Sequence, residues 1–80
     1  MDITLRCFGP LREQRGVDGA EAVVVPDGCT VEEARVLLVG GLPGAAALPV
    51  AYAVNAALVG PGHRLRPGDE LALLPPVGGG

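Results

Sequence analysis

One helix in this chain has both of its ends written in the sequence, and its position near the middle of 80 residues leaves the flanks to strands and turns. Thr30-Val31-Glu32-Glu33 is a capping box: Thr30 accepts from first-turn amides, Glu33 reaches back, and both glutamates favour the positive helix end. Val31, Ala34, Leu37 and Leu38 supply an apolar stripe along one side. Gly40-Gly41 followed by Pro43 ends the helix, since glycine accepts a left-handed cap and proline cannot continue. The spacing predicts a short amphipathic helix.

Period-two patterning surrounds it. Ile3, Leu5 and Cys7 alternate with Thr4, Arg6 and Phe8, which predicts a strand over 2–8 with one buried face. Phe8 falls on the polar side of the alternation, either as an exposed aromatic or twisted back into the core. Gly9-Pro10 stops the strand, and residues 11–15 form one helical turn before Gly16. A second strand over 21–25 ends at Pro26-Asp27-Gly28 and pairs with the first as a hairpin. After a Gly/Ala/Pro-rich connection, residues 50–55 and 56–59 read as strand, with enough Val and Ala for a central position. Arg66-Pro67-Gly68-Asp69 has proline second and glycine third, the pattern of a type II turn. In the last strand, 70–74, Leu71 and Leu73 share one face and Glu70, Ala72 and Leu74 the other, so Leu74 is expected to face solvent. Together with Phe8 it would make an apolar patch of the kind a partner requires.

Composition narrows the function. An apolar fraction of 49%, with Phe8 and Tyr52 the only aromatics, suits a folded aliphatic core in a single small domain. The domain is expected over 1–76, with 77–80 as a flexible tail. A net charge of −3 with six scattered arginines makes nucleic acid a poor partner. Lysine is absent, which suits an arginine-biased genome and equally a protein handled as an activated acyl donor that offers no acceptor amine. Met1-Asp2-Ile3-Thr4 lacks the charged and apolar regions of a signal peptide, and the most apolar stretch, 45–54, is broken by Pro49 and far shorter than the roughly 20 residues of a membrane span. A cytoplasmic location without membrane contact is expected. Cys7 and Cys29 form no C-x-x-C pair, and His63 is the only histidine, so no metal site is expected and both cysteines read as reduced and structural. His63 receives no role. Glu32-Glu33 and Asp69-Glu70 are assigned to a cap and a turn, with no nucleophile nearby for acid–base work.

The C-terminus carries the chemistry. In Pro75-Pro76-Val77-Gly78-Gly79-Gly80 a stiff apolar segment leads into three residues without side chains. Such a tail can enter a narrow tunnel in another protein and bring its terminal carboxylate to a nucleotide or nucleophile. The competing reading is a frayed terminus without function. The order strand, strand, helix, strand, strand points to an α+β domain, a mixed sheet of four to five strands packed on one main helix, which is the outline of a β-grasp (ubiquitin-like) fold.

Val54-Asn55, Leu58-Val59, Leu65, Pro67-Gly68-Asp69-Glu70-Leu71-Ala72, Pro75-Pro76-Val77 and the terminal Gly79-Gly80 resemble the MoaD family, the small subunit of molybdopterin synthase. Phe8-Gly9-Pro10-Leu11-Arg12-Glu13 is also similar. The resemblance implies a sulfur carrier that is not a catalyst by itself. An E1-like (MoeB-like) activating enzyme would spend ATP to adenylylate Gly80, and a sulfur donor would convert the adenylate to a thiocarboxylate. The tail would then enter the large (MoaE-like) subunit and give its sulfur to a cyclic pterin precursor, building the molybdopterin dithiolene. No tightly bound cofactor is implied, and the family suggests two small and two large subunits. Gly79 and Gly80 would be the reactive end, with Phe8, Leu58, Leu74, Pro75, Pro76, Val77 and Gly78 as partner surface. Gly78 departs from the Ser, Thr or Ala usual there, adding flexibility. Sulfur carriers for thiamin or tRNA thiolation, ubiquitin-like protein modifiers and plain adaptors with inert glycines remain as rivals.

Overall fold

The computed structural model describes residues 1–16, 19–41 and 49–75. Its elements run β1 (Asp2–Cys7), α1 (Pro10–Arg15), β2 (Ala20–Val24), α2 (Val31–Val39), β3 (Ala51–Val54), β4 (Ala57–Val59) and β5 (Glu70–Leu74). The five strands form one sheet in the order β2-β1-β5-β3-β4. β1 and β5 are parallel, and the other neighbours are antiparallel. The first and last strands of the chain thus lie side by side in the middle, the mixed sheet of a β-grasp domain.

The alternation decides which face is covered. Ile3, Leu5 and Cys7 on β1 and Leu71 and Leu73 on β5 are buried, and they join Tyr52, Val54, Leu65 and the helix residues Val31, Ala34 and Val39 in one core cluster. Leu71 and Leu73 are fully enclosed, and burying a leucine side chain contributes roughly 1.5–3 kcal/mol. The remaining face of the sheet has no helix among the described residues.

Strand ends shift by one residue from the sequence reading. β1 stops at Cys7 and β2 spans Ala20–Val24, although Phe8 N still donates to Leu73 O (3.0 Å) and Val25 N to Met1 O (3.0 Å). The apolar run expected as strand over 50–59 divides at Asn55 and Ala56, both with positive φ (50° and 69°), which gives β3 and β4 a two-residue hairpin. β3 is interior, whereas β4 lies at the sheet edge. The type II turn is present: Gly68 has φ 85° and Asp69 N donates to Arg66 O at 3.1 Å.

The capping box of α2 is formed as written, Glu33 N donating to Thr30 Oγ1 (3.1 Å) and Thr30 N to Glu33 Oε1 (2.9 Å). Two details of this helix differ from expectation. Leu37 is 61% exposed and Val39 takes the buried place, because the stripe follows the turn of the helix onto the sheet. Gly40 is right-handed (φ −62°, ψ −23°), so the helix ends without the left-handed cap. Pro43 lies outside the described residues.

Candidate functional site: the root of the C-terminal tail

β5 carries the end of the chain out of the middle of the sheet, and Pro75 follows it directly. Beside it, β1 ends in register, Cys7 opposite Leu73, so that Phe8 and Gly9 flank the point where the tail leaves. Gly9 has φ 64° and ψ −141°, a conformation only glycine adopts without strain, and it starts α1 by accepting from Arg12 N (3.1 Å) and Glu13 N (3.4 Å). A Cβ placed on Gly9 would stand 3.3 Å from Cγ of Pro75. The missing side chain is therefore what lets the proline pack here.

The sheet face that no described helix covers carries alanines and leucines beside Thr4, Arg6 and Glu70. Strand pairing aligns Ala20, Arg6, Ala72, Ala53 and Leu58 in one row across all five strands. Leu74 pairs with Ala51 one step nearer the tail, and Thr4 with Glu70 one step farther. Of the sequence-predicted partner residues, Phe8 is 38% exposed, Leu58 is 76% exposed and Leu74 is half-buried on this same face. Phe8 also lines a shallow recess with Arg6, Cys7, Arg12 and Gly19. Leu58 stands two strands from Leu74, roughly 10 Å across at ordinary strand spacing, so the three make one face but not one cluster. Pro75 is exposed at the tail root. Pro76, Val77, Gly78, Gly79 and Gly80 lie outside the described residues.

Sequence reasoning missed Gly9, Arg6, Ala53 and Ala72. The alternation of β1 and of β5 contained the facing of Arg6 and Ala72, but which residues sit side by side depends on register. Nothing in the sequence signals that Gly9 touches Pro75, 66 positions later.

The two cysteines are buried and free, and burial pushes both thiols up, away from thiolate reactivity. Asp69 is held in the turn by Arg66 N (2.8 Å) and Asn55 Nδ2 (3.0 Å), and Glu33 by the cap, so both carboxylates have structural tasks. No helix among the described residues is long and apolar enough to cross a membrane.

The ThiS family matches residues 5–80, nearly the whole chain and including its last glycine. The chain belongs to the ThiS family. Among solved structures, this ThiS-family chain is similar to SAMP1 of Haloferax volcanii, with 29% identity, a TM-score of 0.76 and full coverage of both chains. A second structure, of the small archaeal modifier protein 1 of that organism, matches at 28% identity and a TM-score of 0.77, covering 95% of this chain and 98% of the other. A chain in the protein–protein complex of subunits 1 and 2 of molybdopterin-converting factor from Helicobacter pylori matches at 28% identity and a TM-score of 0.64, with full coverage of both. No curated protein sequence matches. The family is one of ubiquitin-like sulfur carriers with the β-grasp fold, in agreement with the topology above.

Proposed function

We propose that the protein is the sulfur-carrying small subunit of a molybdopterin synthase, acting in the cytoplasm through the carboxylate of Gly80. The observation that carries this reading is the family match running to Gly80, on a chain whose last strand is the central one of the sheet. The similarity to a chain of the H. pylori complex and the Pro75-Pro76-Val77 root support molybdopterin over other acceptors.

The steps follow from carboxylate chemistry. A carboxylate oxygen is a poor leaving group. In an E1-like partner the Gly80 carboxylate attacks the α-phosphate of ATP, forming an acyl adenylate and releasing pyrophosphate. Hydrosulfide delivered by a sulfur donor then attacks the acyl carbon, AMP departs as its bond to that carbon breaks, and loss of the proton leaves a thiocarboxylate. The side-chain-free Gly78-Gly79-Gly80 lets this group reach deep into the large subunit, where water is excluded and the sulfur passes to the pterin precursor. Proline at 75 and 76 restricts φ at the root, which favours an extended lead into the partner. Phe8, Leu58, Leu74 and Val77 supply contact surface.

The test is reconstitution with the E1-like enzyme, ATP and a sulfur donor, followed by intact-mass measurement and then addition of the large subunit and cyclic pterin precursor. Replacement of one oxygen by sulfur at Gly80 and formation of the dithiolene are expected. Thiocarboxylation without dithiolene formation would move the protein to thiamin or tRNA thiolation. The likeness to the small archaeal modifier protein favours one second reading, attachment of Gly80 to lysines of other proteins, which would show as covalent conjugates in cells.

A further inference from the structure

Arg6 is the one charged side chain in the row Ala20–Arg6–Ala72–Ala53–Leu58 that crosses the open face. Its neighbours on the adjoining strands are Ala20 and Ala72, and on its other side it lines the recess with Cys7, Phe8, Arg12 and Gly19. Its Nε lies 3.3 Å from Oε1 of Glu70, yet it is shielded from solvent and makes no hydrogen bond. The two side chains are 44% and 43% exposed. A misaligned, half-exposed ion pair contributes little to stability, while a dry guanidinium donor without an acceptor is a cost. The pair with Glu70 therefore adds little to the fold, and the half of the Arg6 side chain that remains exposed is open to an incoming acceptor.

We propose that Arg6 is a specificity-determining residue of the tail-root face and that it receives a carboxylate from the protein that docks there. The inference rests on the reading of the chain as a carrier that docks on a large subunit. Alanines at 72 and 53 leave a trough between Arg6 and Leu58, about 14 Å wide at three strand spacings. The matching partner presents an Asp or Glu over Arg6, a ridge over the alanines and an apolar side chain against Leu58. A planar guanidinium pairs with a carboxylate in a fork, which fixes orientation as well as attraction. In a protein of net charge −3 this cation also sets where an acidic group is accepted.

The experiment is calorimetric titration of the full-length protein with its cognate large subunit. Arg6→Ala is expected to weaken binding about tenfold or more, and Arg6→Glu further, as for removal of one member of a docked charge pair. Arg6→Lys keeps the charge without the fork and loses less. Arg66→Ala, which removes the same charge from the exposed turn, stays within about twofold of wild type. Recovery of Arg6→Glu binding by Glu→Arg or Asp→Arg in the partner would identify the carboxylate. Arg6→Ala binding as tightly as wild type overturns the proposal. Should wild type not bind the large subunit, the functional reading fails instead, and a second measurement decides on Arg6: titration with N-acetyl-Ala-Leu-Glu-amide against its Gln counterpart, read on arginine Nε–H resonances. A saturable shift of Arg6 with the Glu peptide alone supports the proposal, and identical responses to both peptides overturn it.

Discussion

Single backbone conformations control the tail root and the smallest hairpin. Gly9 and Gly16 bracket α1, both with positive φ (64° and 74°), but only Gly9 has a neighbour within contact of a would-be Cβ, namely Pro75. Gly16→Ala is expected to cost about 1 kcal/mol, the usual penalty for alanine in a left-handed cap. Gly9→Ala should cost more, because its ψ of −141° is foreign to alanine and the methyl presses on the proline. Urea denaturation of the two variants checks the order, and equal losses would remove the contact with Pro75 from the account. Ala56 offers the reverse case. It holds φ 69° in the β3–β4 turn, where glycine is at ease, so Ala56→Gly is expected to stabilise by about 0.5–1 kcal/mol in the same assay. Neither effect is visible in the sequence, where Gly9-Pro10 reads only as a strand stop and Ala56 as an ordinary strand residue.

Arg15 straps three elements together at the level of secondary structure. From the end of α1 its Nε donates to Glu21 Oε2 on β2 (2.7 Å), its second terminal nitrogen to Glu21 Oε1 (3.0 Å), and its first to the carbonyl of Leu38 on α2. The hydrogen bonds from Arg15 hold the Glu21 carboxyl below its ordinary value of 4.5, and the cap at Thr30 does the same for Glu33. A carboxyl depressed in the folded state stabilises fully above its unfolded value and loses that contribution as pH falls through the folded one. The urea midpoint is therefore expected to be flat above pH ~5 and to decline below ~4.5. Glu21→Gln should reduce the acid-side decline, and an unchanged slope would show the strap to be energetically silent. The capping box was legible because all its partners lie within four residues. The strap was not, since Arg15, Glu21 and Leu38 meet only through the packing of three elements.

At the scale of the whole fold, the parallel pairing of the first and last strands brings Pro75 beside Gly9, and one sheet face has no helix over it among the described residues. Leu74 is half-buried on that face, so Leu74→Glu is expected to leave the fold intact and weaken binding to the large subunit at least about tenfold, because it brings an unpaired charge into an apolar contact. An unaltered dissociation constant would remove Leu74 from the interface. Under the proposed function, Gly80→Ala should slow adenylation, measured as pyrophosphate release with an E1-like enzyme, because a methyl crowds a narrow partner site, and the unfolding midpoint should not change. Unchanged release would show that the terminal residue tolerates a side chain.

The sequence by itself determined most of the elements. Alternation in β1 and β5, the Thr30–Glu33 cap and the Pro67-Gly68 turn are local patterns, each enforced by neighbours a few residues apart. The tertiary structure alone decided that Ala20, Arg6, Ala72, Ala53 and Leu58 form one row, that Val39 and not Leu37 enters the core, and that Gly9 abuts Pro75. Register and burial depend on residues distant in the chain being brought together, and a one-residue slip in any strand would have turned that strand's member of the row to the other face.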